Sequence, residues 1–225
     1  MQISPSEVFR ELAQTENDSE RDQKTLQAKR KIQKHLTIRI QKTTRKSQHH
    51  RIRDKLARWK IEGLPRQAAE DYQKFLKELV TPTPPRVRAA VISTAWNRWA
   101  TERRWQRRNA ENKCCVFQCR PEAEDSIEHY QHCPIIQEAH WRHIRLRPDG
   151  RGSLLPAWIL GRGLCKEDKV RAAIGAYATY RTFNLQKFGQ KLSQEEVIEA
   201  FGQYVREAAL RHRKAEAIIL STWSR

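Results

Sequence analysis

The stretch Cys114–Cys133, CCVFQCRPEAEDSIEHYQHC, holds four of the five cysteines of a 225-residue chain. Counted from Cys115, the thiols follow a C-x3-C spacing to Cys119, and an H-x3-C pair, His129 and Cys133, ends the stretch. Thiolate and imidazole groups are the ligands that Zn²⁺ prefers, and four of them leave no open coordination position. The spacing therefore predicts a structural Cys3His site formed by these four residues, with Zn²⁺ as the bound metal.

Two local features around His129 support this ligand set. His129 and Cys133 are four residues apart, so one helical turn directs both side chains to the same side. Asp125 or Ser126 precedes this turn and is predicted to cap it. A bound metal would replace a hydrophobic core that this short segment is too small to form.

Other thiols and imidazoles compete for the same roles. Cys114 adjoins the first predicted ligand and would give a C-x4-C first half, and His132 adjoins the last one. Cys165 stands apart and is predicted to be a small buried apolar residue. The alternative for the whole cluster is a group of free thiols without metal. A catalytic deaminase site is not expected, because it needs an H-x-E sequence followed by P-C-x-x-C.

The composition is strongly basic, with 44 Lys plus Arg against 26 Asp plus Glu, a net charge of +18 and a pI near 10.1. This excess favours a polyanionic partner, and nucleic acid fits better than a membrane because no apolar stretch approaches the ~18 residues of a spanning helix. The first residues are too polar for a signal peptide. We therefore expect an intracellular, not secreted, protein of the nucleus or another reducing compartment, where clustered cysteines usually bind metal.

Helical periodicity dominates the rest of the chain, and alternating strand patterns are scarce. The predicted fold is mainly α, in three parts. These are a basic helical N-terminal arm at 1–85, a Trp/Arg-rich helix with the zinc-binding segment at 86–146, and a C-terminal helical bundle at 147–225. Three prolines within residues 82–85 mark the first boundary.

Individual helices follow from periodicity and caps. Residues 87–109 are predicted as one helix, with Trp99 on its apolar stripe. Residues 166–189 are predicted as a second helix. Ser193 and Glu196 are predicted to form a capping box at the start of the last helix.

Basic side chains are concentrated in two places, residues 21–60 and the tryptophan-rich segment before Cys114. Guanidinium and ammonium groups bind phosphates, and tryptophan can stack on bases. The alternative is a solvated basic helix face, with Trp96 and Trp99 in the core. The predicted nucleic-acid contacts are Lys29, Arg30, Lys31, Lys34, Arg98, Arg103, Arg104, Trp105, Arg107 and Arg108.

Residues 115–134, CVFQCRPEAEDSIEHYQHCP, resemble the zinc-binding region at the C-terminal side of reverse transcriptases from LINE-type (non-LTR) retrotransposons. That family shows a Cys pair, an acidic stretch ending in Ser or Thr with Ile or Leu and Glu-His, and then Cys-Pro. Cys115, Cys119, His129 and Cys133 fall on its ligand positions. The flanks, over about residues 86–190, are similar to such segments in protist elements. The resemblance implies a nucleic-acid-binding fragment or domesticated remnant.

The expected function is a zinc-stabilised basic protein that binds RNA or DNA and is not an enzyme. The chain has no Asp-Asp pair and no Tyr-x-Asp-Asp motif, so it lacks the carboxylates of a polymerase. One alternative is a metal-dependent endonuclease remnant using Asp149, Glu167 and Lys169, in the order of a PD…ExK triad. Another is a protein-interaction module whose basic helices face an acidic partner.

Overall fold

The computed structural model describes residues 27–28, 31–36, 50–61, 65–105, 114–210 and 212–223, and the chain divides into two compact units, 1–52 and 53–225. In the first unit the described residues 27–28, 31–36 and 50–52 are helical. Ala28 and Ile52 are buried, whereas Leu36 is exposed. The remainder of the predicted N-terminal arm before residue 50 lies outside the described residues.

The second unit is helical, and its described residues form no strand beyond an isolated bridge between Cys114 and Glu124. The predicted mainly α fold is therefore confirmed. After the helical residues 53–57, the helices are α1 (Pro65–Glu78), α2 (Pro85–Ala95), α3 (Glu102–Trp105), α4 (Ile127–Tyr130), α5 (Pro134–Ile144), α6 (Leu155–Leu160), α7 (Lys166–Phe188), α8 (Gln194–Ala209) and α9 (Arg213–Trp223).

Helix α7 lies at the centre of this unit, and α2, α6 and α8 pack against it. Its middle is rich in alanine, and small side chains let neighbouring helices approach closely. Gly175 marks the tightest approach, because a Cβ built there would lie 2.6 Å from Nε2 of His140 on α5. The fully buried alanines of α7 are Ala172, Ala173, Ala176 and Ala178.

Helix starts follow the predicted chemistry. The Ser193 hydroxyl accepts a bond from the Glu196 amide at 3.4 Å, and the Glu196 carboxylate accepts from the Ser193 amide at 2.8 Å. Pro134 occupies the first turn of α5, where its missing N–H leaves no intrahelical bond unmade. The predicted helix over residues 166–189 is observed as α7.

The predicted single helix over residues 87–109 is wrong, because α2 ends at Ala95. Asn97 adopts a left-handed conformation with φ 51°, and the Arg98 amide donates to the Ser93 carbonyl at 2.8 Å. This pair of features is the helix-terminating Schellman motif, which asparagine tolerates better than most residues. The chain then re-forms the short helix α3.

Helix α1 packs against α6 within the same compact unit. Phe75 is buried, and a Cβ built at Gly161 would lie 2.6 Å from its ring. Arg162 pairs with Asp71 at 2.8 Å. The three-part division of the sequence stays a prediction. No helix in the described ranges has both the length and the apolar character needed to cross a membrane.

Candidate metal centre

Cys115, Cys119, His129 and Cys133 come together in the structure, with one ligand atom from each lying within 4.8 Å of all the others. Cys115 and Cys133 are buried, whereas Cys119 and His129 are partly exposed at the rim. Sγ of Cys119 lies 3.1 Å from Nε2 of His129. Among the described residues, these four form the one group of Cys, His or acidic side chains that could hold a metal ion.

A tight turn forms the first half of the cluster. The Gln118 amide donates to the Cys115 carbonyl at 2.9 Å, and Gln118 has a left-handed backbone with φ 53°. The turn therefore returns Cys119 beside Cys115. Phe117, between the two thiols, is buried and meets the Tyr130 ring edge-on at 5.2 Å between ring centroids. The buried Phe117 ring thus fixes the turn against Tyr130.

Helix α4 presents the histidine of the second half. Ser126 caps this helix, since its hydroxyl accepts a bond from the His129 amide at 3.1 Å, as predicted for that position. The predicted placement of His129 and Cys133 on one helical turn is wrong in detail. Helix α4 ends at Tyr130, and Cys133 occupies the N-cap position of α5, without a capping bond from its side chain. Two consecutive helix ends, rather than one helix face, therefore bring these ligands together.

The three thiols of the cluster differ in pKa. A hydrogen bond from Cys115 lowers the pKa of Cys133 to about 5 against the effect of burial, and His129 acts in the same direction. The same bond, together with burial, raises the pKa of Cys115 far above its usual range. Burial and the charge on Cys133 raise the pKa of Cys119 to about 11. Of the three thiols, Cys133 is therefore the one whose surroundings favour the thiolate, which is the form that binds metals.

A buried polar network attaches the cluster to the helical bundle. Asp125, only 1% exposed, accepts bonds from the Tyr130 hydroxyl, the Glu102 amide and Nζ of Lys187 near the end of α7. Lys187 also pairs with the Glu102 carboxylate at 2.7 Å. Since a buried carboxylate needs a partner, this network holds α3, α4 and α7 in one arrangement.

Aromatic packing reinforces the same junction. Trp99 is fully buried, and its ring centroid lies 5.9 Å from Tyr130 and 5.4 Å from both Tyr180 and Phe183. The core placement considered for Trp99 is therefore observed, while Trp96 is half-buried with Arg98 over its ring.

The two competing residues, Cys114 and His132, and the separate Cys165 all lie outside the cluster. Cys114 is exposed, and its thiol donates to the Pro121 carbonyl at 2.8 Å. Nδ1 of His132 lies 2.9 Å from the Gly152 carbonyl oxygen. The prediction that Cys165 is buried is wrong, because this exposed residue caps α7 and its sulfur accepts from the Asp168 amide. A helix cap keeps a side chain at a helix end, which is commonly at the surface.

The three residues of the alternative nuclease have structural partners. The Asp149 carboxylate accepts from the amides of Arg151 and Ser153, both at 2.9 Å, and so closes a turn. Lys169 pairs with Glu78 at 2.6 Å. Glu167 lies in the first turn of α7, where its own backbone amide lowers the pKa of its carboxyl. The described residues supply no strand to present such a triad.

The predicted nucleic-acid contacts are only partly described. Lys31 and Lys34 are exposed on helical residues 31–36. Arg98, Arg103 and Arg104 are also exposed, although Arg103 pairs with Glu124 and Arg104 donates to the Trp99 carbonyl. Their contact with nucleic acid stays a prediction. Lys29, Arg30, Arg107, Arg108 and the side chain of Trp105 lie outside the described residues.

Comparison of the chain with models of protein families, with curated proteins and with solved structures gives no match in any of the three. The resemblance of residues 115–134 to LINE-type retrotransposon proteins therefore stays a prediction.

Proposed function

We propose that this chain is a zinc-stabilised, basic, helical nucleic-acid-binding protein without catalytic activity. The observation that carries the proposal is the convergence of three thiols and one imidazole in a strongly basic chain. The resemblance to the zinc-binding region of LINE-type reverse transcriptases supports the same assignment and suggests a shared origin.

Zinc suits the donor set and its spacing. A tetrahedral ion with Zn–S bonds of about 2.3 Å holds its ligand atoms about 3.8 Å apart, and the four atoms here all lie within 4.8 Å of one another. Three sulfurs and one nitrogen are soft or borderline ligands, which favour zinc over magnesium or calcium. The thiolate character of Cys133 adds the negative charge that a divalent cation needs.

The proposed role of the metal is structural. Four protein ligands leave no coordination position for water or substrate, so the ion would act by fixing the turn 115–118 and the adjoining ends of α4 and α5. Bound zinc would add cross-links between the turn and the two helix ends, beside the buried contacts that Phe117 and Tyr130 already make. Asp125 and Lys187 would then transmit this fixed geometry to α7.

Metal analysis of purified, reduced protein tests the zinc proposal. We expect about one zinc per chain, lost in C115S and in C133S because each removes a ligand from a closed site. C114S and C165S are matched controls, since both remove an exposed thiol outside the cluster. A wild-type stoichiometry far below one, or equal zinc content in C114S and C115S, would contradict the proposed site.

Salt-dependent binding tests the nucleic-acid proposal. If Lys and Arg neutralise phosphates, the affinity for mixed-sequence RNA or DNA falls steeply as salt rises, with log K linear in log salt concentration. A nearly salt-independent affinity would refute phosphate contact. Partners that survive capture from nuclease-treated lysate, with no binding to purified nucleic acid, would instead identify a protein-interaction module.

A further inference from the structure

A shallow cavity lies beside one face of α5. Pro134, Gln137, Glu138 and Trp141 line it, and their spacing of three, four and seven residues places them on one helix face. The segment after the helix completes the lining with Arg147 and Pro148 and leaves a volume of about 340 Å³. The Trp141 indole is 36% exposed, although tryptophan is usually well buried. The partly exposed Trp141 therefore borders an open cavity.

Two guanidinium groups stand over the Trp141 indole. Cζ of Arg147 lies 4.1 Å from the ring centroid, and Cζ of Arg145 lies 5.2 Å from it. Arg145 ends α5 in a left-handed conformation, and Leu146 is buried between the two arginines. The alternation of exposed, buried and exposed side chains therefore turns both guanidinium groups back over the helix.

These arginines are not neutralised by acidic side chains. In the described ranges neither Arg145 nor Arg147 forms an ion pair, and the nearby Glu138 pairs with Arg142 at 3.3 Å. A guanidinium stacked on an indole keeps its N–H edge available, and two such edges can donate to phosphate oxygens. Trp141, Arg145 and Arg147 thus combine an exposed aromatic face with two positive charges.

We propose that Trp141, Arg145 and Arg147 form a binding site for an unpaired nucleotide of single-stranded RNA or DNA, which specifies the nucleic-acid binding proposed above and rests on it. The base stacks in the cavity beside Trp141, and the guanidinium groups hold the phosphates. A duplex offers no free base face, so the site favours single strands. The Glu138 carboxylate in the lining can accept a bond from a base amino group.

Affinity measurements on W141A test the stacking part of this site. Fluorescence anisotropy with short single-stranded RNA, single-stranded DNA and the matching duplexes gives the dissociation constants. We expect W141A to bind both single strands about fivefold to a hundredfold more weakly, with W141F retaining most of the affinity. F188A is the matched control, because Phe188 is an exposed aromatic residue, at 67%, outside the cavity lining, and we expect this variant to bind as the wild type does.

The salt dependence of R147Q tests the phosphate part. Loss of one phosphate contact should reduce the slope of log K against log salt by about 0.7 for a single strand. R66Q removes the same charge from an arginine paired with Glu70 and should leave the slope unchanged. Zinc content and far-ultraviolet circular dichroism, equal to those of the wild type, establish that each variant is folded.

The outcomes separate this site from the general function. Wild-type protein that binds single strands, with W141A and R147Q binding equally well, refutes the site and leaves the proposed function standing. An equal loss for duplex and single strand on W141A refutes the unpaired base. Absence of wild-type binding to every probe at low salt refutes the proposed function and this site together.

Discussion

Acid is expected to destabilise the second compact unit through His140. This side chain is fully buried, and both ring nitrogens are engaged in the neutral form. The Nδ1–H group donates to the Ile136 carbonyl at 2.8 Å, and Nε2 accepts from the Trp158 indole at 3.0 Å. Protonation would turn Nε2 into a donor that faces the Trp158 N–H donor. The Phe201 ring packs against the imidazole, with 4.7 Å between the ring centroids, and offers no alternative acceptor.

The size of the loss in the free energy of unfolding follows from the shift in the pKa of His140. Burial lowers the pKa of His140 from 6.5 to about 3. The unfolded chain therefore binds more protons than the folded chain between these values, and the free energy of unfolding decreases as pH falls through that window. Each pH unit below 6.5 costs about 1.4 kcal/mol, so at pH 5 the loss attributable to His140 is about 2 kcal/mol.

Denaturant unfolding of wild-type protein and H140Q at pH 7 and pH 5 measures this loss. The amide of H140Q does not titrate, so the wild type should lose about 2 kcal/mol more than the variant between the two pH values. The comparison cancels contributions from the cluster and from His143, because both proteins retain them. Equal losses in the two proteins would refute the assignment, whatever the absolute stability of the variant.

Two further substitutions probe the packing of α7. K187M should lower the free energy of unfolding by about 3 kcal/mol, because it leaves the carboxylate of Asp125 buried without its cation. Urea unfolding measures this change, and a loss below about 1 kcal/mol would contradict the prediction. G175A should cost about 1–3 kcal/mol by thermal or urea unfolding, because its Cβ would lie 2.6 Å from His140. G150A, with no atom within 4 Å of the added Cβ, is the control, and equal effects of the two substitutions would refute the close-packing argument.

Sequence reasoning succeeded where the determining chemistry is local. The spacing of Cys115, Cys119, His129 and Cys133 predicted one ligand set, and the structure brings the four side chains together. It does so through the ends of two helices rather than through the single helical turn expected for His129 and Cys133. The Ser126 cap follows equally from its position before α4. Helical periodicity likewise predicted α7, whose length makes the pattern distinct.

Features that depend on tertiary contacts were not predictable in this way. Asp125 and Lys187 are 62 positions apart, and the sequence around neither residue indicates that the two form an ion pair. The end of α2 at Asn97 does have a signal, since asparagine tolerates the left-handed conformation, but the apolar stripe continues to Trp99 and favours a longer helix. Cys165 was misplaced because cysteine is more often buried than used as a helix cap.

The proposed metal and the proposed nucleotide site are linked through one helix. Cys133 occupies the N-cap position of α5, and the same helix carries Trp141 on its exposed face two turns later. A metal bound to Cys133 would fix where α5 begins, while the buried residues His140 and Ile144 fix the helix against α7. A helix held at its start and along its buried face presents its exposed face rigidly. This arrangement gives a structural ion a direct role in binding, because a pre-ordered surface loses less conformational entropy when it meets a flexible single strand.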